Sequence, residues 1–363
     1  MLKKSSWPPL FQTRTSISKN LLMPCGVSVT QGNREALLFM KIITVEEHFD
    51  TPANIKQFNA YSEVKNNNPH QDMLNATLTD FAKHIDYMDQ YGIDMQVISD
   101  AGNSPQVLPD NLVVEACRAQ NESLAEAVAK YPDRLAGLAV VPINLPDEAA
   151  KELERAVTKL NLKGGIISGT VDGQFLDDPK FEPIFAMAEK LDVPLYLHPG
   201  VIKDEQKAIL YDSKAYSPAL ATFMGGAAWG WHMEQGVQMV RLIISGLLEK
   251  YPNLKLISGH WGEFVPMFLE RLSEFLPFSG LDLPHSFEYY YKKNVYVTPS
   301  GMYSDPQLQM VLTEMGADHL MYSEDFPYIE RKENVQGFMT KADLSEKDRE
   351  QFAHGTAEKL FKL

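Results

Sequence analysis

The chain is poor in the features that mark several protein classes. Its 363 residues include two cysteines, Cys25 and Cys117. That is too few for a disulfide framework, so a small stapled scaffold is excluded and a reducing cytoplasm is the expected compartment. Long apolar runs are missing too: none approaches the roughly 18 residues of a membrane span. Positive charge is scarce, with 34 Lys and Arg against 48 Asp and Glu and a net charge of −14. That balance speaks against nucleic acid and anionic membranes as partners. No G-x-G-x-x-G follows the first apolar run, which removes the usual phosphate-binding signature of an open dinucleotide fold. No internal repeat is visible beyond an alternation of short elements.

What the chain does have is core-forming material, 44% hydrophobic residues, together with 22 glycines and 22 prolines to punctuate it. The first 34 residues carry Lys3, Lys4, Arg14, Lys19 and Arg34 and no acid, and their apolar stretch Leu21–Val27 is interrupted by Pro24. Residues 1–39 therefore read as a disordered leader or a misassigned start, with Met40 directly before the first strand. From there residues 40–363 read as one domain. Short apolar runs fall at Lys41–Glu46, Met95–Ser99, Leu138–Pro142, Gly165–Ser168, Pro194–His198, Lys255–His260, Val295–Pro299 and Leu320–Ser323. They show little strict alternation, as parallel strands covered on both faces do. Helical periodicity fills the intervals, for example Thr79–Tyr91, Asn111–Lys130, Asp147–Leu160 and Asp305–Met315. Eight strands alternating with helices predict an α/β fold of the closed (β/α)8 TIM-like barrel type, which takes about 250 residues plus insertions. The segment Val201–Gly226 follows a strand end and is expected to cover the barrel mouth.

In such barrels chemistry gathers at the C-terminal ends of the strands. Strand one ends on Glu46-Glu47-His48, strand five on His198, strand six on His260 through Glu263, and strand eight on Glu324-Asp325. Residues two apart in a strand share a face, so Glu46 and His48 can both point inward while Glu47 points away. With His198 and Asp325 they make two imidazoles and two carboxylates, a set suited to one borderline divalent ion. Taken singly, each has an ordinary structural reading, as a loop cap or a helix N-cap; four such groups together, all at strand ends of one barrel, point to a metal site. His260 and Glu263 form a separate pair, in which the carboxylate can hold the imidazole in one tautomer. Of the remaining histidines only His232 stands close to the lid segment, and it is a distant candidate. Trp229 and Trp231, near Phe223, could wall a flat substrate or simply fill the core.

On these residues the sequence resembles the amidohydrolase superfamily, and within it the non-oxidative aromatic-acid decarboxylases. The matching stretches are Val45–Phe49, Asp192–Pro199, Ser245–Glu263, Thr298–Gly301, Ser323–Pro327 and Gly355–Leu363, in the family's order. The resemblance implies that Glu46, His48, His198 and Asp325 ligate one ion, zinc or manganese. It implies that His260 and Glu263 are the catalytic pair, and that Arg271 reaches the substrate of a neighbouring subunit in a homodimer or homotetramer. The first motif is Glu-x-His rather than His-x-His, and no lysine follows Ile167, which favours a mononuclear site. Ser168 stands where γ-resorcylate decarboxylases tend to carry asparagine, at a position expected to read substrate oxygens. The expected activity is metal-dependent decarboxylation of a small hydroxylated aromatic carboxylate. Two other readings share the same residues: a hydrolase of a lactone or amide, and a non-catalytic binding barrel.

Overall fold

Short apolar runs flanked by amphipathic helices can bury both faces only inside a helical layer, and that is the arrangement observed. The computed structural model describes residues 40–61, 69–100, 102–329 and 335–363, so the leader 1–39 lies outside the described residues. The strands are β1 (Ile43–Phe49), β2 (Met95–Asp100), β3 (Leu135–Gly137), β4 (Ala139–Val140), β5 (Gly165–Ser168), β6 (Leu195–His198), β7 (Leu256–Ser258) and β8 (Val295–Val297). All pairings between them are parallel, in two runs, β1-β2-β3 and β4 through β8 in sequence order.

Backbone hydrogen bonds bridge both gaps between these runs. Leu138 N–H donates to Ile98 O at 2.9 Å where β3 passes into β4. On the other side Met321 N–H donates to Val297 O (3.0 Å) and Val45 N–H to Tyr322 O (2.9 Å), so residues 320–322 join β8 to β1. The succession of strands is that of a TIM-type barrel. Two expectations need correction. The third strand is broken at Leu138, where the chain changes partner from β2 to β5. Leu320–Ser323 makes only one isolated bridge, Val297 with Leu320, because its next amide, Tyr322 N–H, turns to Phe352 O.

Successive strand residues pack into different clusters. Val97, Ile166, Tyr196, Ile257 and Met321 belong to one. Ile98, Ile167, Leu195, Leu197, Leu256, Leu320 and Tyr322 belong to the other, with helix residues such as Leu153, Phe185 and Met239. Both faces of the sheet are thus dry, which explains the weak alternation in the sequence. The helix Asp305–Met315 matches its expected span, and Phe81–Tyr91, Asp110–Lys130 and Pro146–Leu160 do so within two residues. The segment after β6 carries two short helices, Asp204–Leu210 and Pro218–Gly225, and Lys203 pairs with Asp172 of the neighbouring loop at 2.5 Å. No described helix is long and apolar enough to cross a membrane.

Candidate metal centre and catalytic pair

The end of β1 is irregular. Val45 pairs with Val97 and Glu47 with Ile98, so Glu46 is an extra, bulged residue with φ of 84°. A bulge re-aims side chains, and here it, rather than simple alternation, sets Glu46. The neighbouring Glu47 is turned to the last loop, where its carboxylate accepts the backbone N–H groups of Glu324 (3.0 Å) and Phe326 (2.9 Å) on either side of Asp325. Glu324 in turn accepts from the hydroxyls of Tyr87, Tyr303 and Tyr322.

Glu46, His48 and His198 each offer one ligand atom, and these atoms lie within 4.8 Å of one another. His48 Nδ1–H donates to Asp100 O at 2.8 Å, and His198 Nδ1–H to Pro199 O at 2.7 Å. Because a carbonyl only accepts, both rings are held with the Nε2 lone pair free, the arrangement usual for ligating histidines. Asp325 Oδ1 stands 3.3 Å from His48 Nε2, and Glu46 Oε1 is 3.7 Å from His198 Nε2. Glu46 Oε1 and His48 Nε2 are buried and lack a hydrogen-bond partner. Buried polar atoms are rarely left so, and a divalent cation between them would satisfy both. Burial, and the neighbouring imidazoles of His48 and His260, hold the His198 pKa well below its ordinary value, so this ring stays neutral. Burial also raises the Glu46 pKa, against the pull of His260 and His48. Glu46 Oε2 is steadied by the hydroxyls of Thr298 (3.2 Å) and Ser300, and Thr298 by Tyr196 (2.8 Å).

Residues 260–264 do not begin an ordinary right-handed helix. His260, Trp261, Gly262, Glu263 and Phe264 have φ of 48°, 58°, 80°, 51° and 68°. Left-handed backbone costs roughly 1–2 kcal/mol per non-glycine residue, so the turn must be held by its surroundings. Trp261 donates from its backbone to Thr298 O and from its indole to Met302 O, each at 2.8 Å. His260 N–H donates to Ser300 Oγ at 2.7 Å, and a Cβ on Gly262 would meet Tyr291 Oη at 2.6 Å. The turn brings His260 Nδ1 to 2.7 Å from Glu263 Oε1. Burial opposes protonation of His260, but Glu263, Glu46 and Asp325 outweigh it and raise its pKa to about 9; a cation bound by Glu46 and Asp325 would cancel their pull and favour the neutral, proton-accepting ring.

His232, weak from sequence, stands here too. Its Nδ1 is 3.0 Å from Glu263 Oε2, and its ring centroid is 4.2 Å from that of His260. Nothing in the spacing signalled this, because 31 residues separate His232 from Glu263. Tyr328 was also missed; its hydroxyl accepts from Gly102 N–H at 3.0 Å and its ring lies 5.5 Å from that of His48. Ser168 is half-buried at the end of β5, in register with His198, and its N–H donates to Gln106 Oε1 at 2.9 Å. Trp229 packs on Phe264 at 4.9 Å and Trp231 serves His232, so the two tryptophans do not form one wall. Arg271 is exposed on the helix Leu269–Phe275, its guanidinium 4.4 Å from the Phe275 ring.

Comparison with known proteins places this geometry. The amidohydrolase family model matches residues 74–363. A gamma-resorcylate decarboxylase of Rhodococcus jostii (strain RHA1) is 31% identical over 338 residues, covering 88% of this chain and 98% of that protein. The crystal structure of 5-carboxyvanillate decarboxylase LigW from Sphingomonas paucimobilis superposes with a TM-score of 0.82 at 27% identity, over 89% of this chain and 99% of that one. A dihydroxybenzoic acid decarboxylase from Polaromonas sp. JS666, solved with bound manganese and the inhibitor 2-nitroresorcinol, gives a TM-score of 0.80 at 30% identity, over 90% and 98%.

Proposed function

The chain belongs to the amidohydrolase family, in its aromatic-acid decarboxylase branch, and on that footing we propose that it is a metal-dependent carboxy-lyase acting on a small hydroxylated aromatic carboxylic acid. The observation that carries the reading is the pair of imidazoles locked with free Nε2 lone pairs beside two carboxylates at the barrel's strand ends. Glu46, His48, His198 and Asp325 would hold one divalent ion, zinc or manganese. When bound, that ion would neutralise and orient the carboxylate and an ortho phenolic oxygen of the acid.

The protein's own groups carry the proton chemistry. Direct loss of CO2 from an arene would leave an aryl anion, far too basic to form, so the carbon bearing the carboxylate must first be protonated. Asp325 is assigned as that donor. His260, oriented by Glu263, takes the phenolic proton and returns it once the C–C bond has broken and the ring is aromatic again. Ser168 lies beside His198, where it would read a further ring substituent. In a metal-loaded protein the reading requires CO2 and the decarboxylated arene in equal amounts from at least one hydroxybenzoate or related acid. In heavy water, deuterium should appear at the carbon that lost CO2. An intact acid together with an opened lactone or amide would replace this reading with hydrolysis.

The assembly is proposed as a homodimer or homotetramer. Met267, Phe268, Phe275 and Phe278 are 67%, 53%, 52% and 85% exposed around Arg271, a concentration of apolar surface usual at subunit contacts. Arg271 would there serve a neighbour's site rather than its own. A cytoplasmic location is proposed from a sequence with only two cysteines, of which Cys117, among the described residues, is a free, buried thiol, as suits a reducing compartment.

A further inference from the structure

Glu263 has two acceptor oxygens in a side chain that is fully buried. Oε1 receives the Nδ1–H of His260 at 2.7 Å, and Oε2 receives the Nδ1–H of His232 at 3.0 Å. We propose that His232 is the third member of this catalytic pair, a positioning residue that fixes Glu263 and, through it, the tautomer and aim of His260. The inference rests on the decarboxylase reading only for what His260 does in turnover.

A carboxylate held by one donor can exchange its oxygens by rotating about its last bond, and its imidazole partner then loses a fixed direction. A second donor on the other oxygen stops the rotation. Without His232, Oε2 would be a buried charged oxygen with no partner, and Glu263 would turn to share its remaining donor. His232 is itself well held. Its Nε2 has the Trp231 indole N–H at 2.9 Å and the Ala227 carbonyl at 3.0 Å, one donor and one acceptor. The neutral ring accepts from Trp231, and the protonated ring donates to Ala227. In either state Nδ1–H still faces Glu263, so the clamp survives a change of charge.

The backbone supports the same contact. His232 lies in the first turn of the helix Gly230–Ile244, and one turn on, Gly236 packs so closely that a Cβ there would lie 2.5 Å from the Glu263 carbonyl oxygen. The three facing side chains are close enough to share an ion. Both Nδ1 atoms, however, are engaged as donors to the carboxylate, which leaves them no lone pair for a metal.

The test compares His232→Leu with His232→Asn in the full-length, zinc-loaded protein, each first shown to melt cooperatively. Asparagine keeps an N–H where Nδ1 was, and leucine does not. For decarboxylation, H232L should lose about 10–100-fold in kcat with little change in KM, and H232N should recover most of that loss. Nitrogen NMR of labelled histidine gives a readout that needs no substrate. His260 should show one Nδ1–H tautomer in the wild type and H232N, and a mixture of tautomers in H232L. An unchanged His260 tautomer in H232L, wild-type kcat in H232L, or equal impairment of the two variants would overturn the proposal. A wild type that decarboxylates no aromatic acid would instead overturn the functional reading, and the NMR comparison would still decide the role of His232.

Discussion

Glu46, His260, Glu263, Ser300 and Asp325 all carry positive φ, between 46° and 84°, and all sit where strands end. Strain of this kind persists only where neighbours over-determine it, and it concentrates at functional sites. Asp325 is the most consequential of the five, since it is proposed both to ligate the ion and to protonate the ring. Asp325→Asn keeps size and some ligating ability but removes the acid. It should lower kcat by about 100-fold or more, measured as initial CO2 release with metal content checked, and full turnover would remove Asp325 from that role. His84 gives a prediction away from the metal. Burial, only partly offset by Gln96, lowers its pKa from 6.5 to about 4. Below pH 6.5 the unfolded chain takes up this proton while the folded protein waits until about pH 4. Stability should therefore fall with acidification across that window, by about 3 kcal/mol in all from this group. Urea midpoints between pH 7 and pH 4 should decline less steeply in His84→Leu than in the wild type; parallel curves would contradict the assignment.

Elements, not single residues, decide where the site's parts meet, and the sequence showed them unevenly. Strand ends were legible because short apolar runs stop abruptly at His48, His198 and Glu324-Asp325, and a barrel places all such ends on one face. The helix Asp305–Met315 was legible from its periodicity. The bulge at Glu46 was not, because nothing in Val45-Glu46-Glu47-His48 distinguishes a bulged strand from a regular one. The left-handed turn at 260–264 was equally hidden, since Trp, Glu and Phe have no preference for positive φ and one His and one Gly do not mark a five-residue left-handed run. Its cause is tertiary: Thr298, Ser300, Met302 and Tyr291 close around it. The approach of the helix Gly230–Ile244 to that turn yields a sharp test. Gly236→Ala should cost about 1–3 kcal/mol by overpacking and should lower kcat by displacing Glu263. Gly337→Ala, which meets nothing within 4 Å, is the matched control. Equal melting temperatures for the two variants would show that the close approach is not maintained in solution.

At the scale of the whole molecule, a net charge of −14 opposes an anionic substrate, so attraction must come from the metal centre and from any arginine a neighbour supplies. The apolar surface around Arg271 fits such a neighbour. Sedimentation at micromolar concentration should give a dimer or larger species, and Phe278→Asp should shift it toward monomer with loss of kcat/KM; a wild-type monomer with full activity would separate Arg271 from the reaction. The central claim is that one divalent ion, held at the ends of the barrel strands, makes this chain a carboxy-lyase. It is tested most directly by following CO2 release from a panel of hydroxylated aromatic acids while manganese or zinc is titrated into chelator-stripped protein. The account predicts release from at least one acid, rising with metal to a plateau at one ion per chain and abolished in His260→Asn. Silence across the panel in protein shown to hold its ion, or turnover indifferent to the chelator, would contradict it.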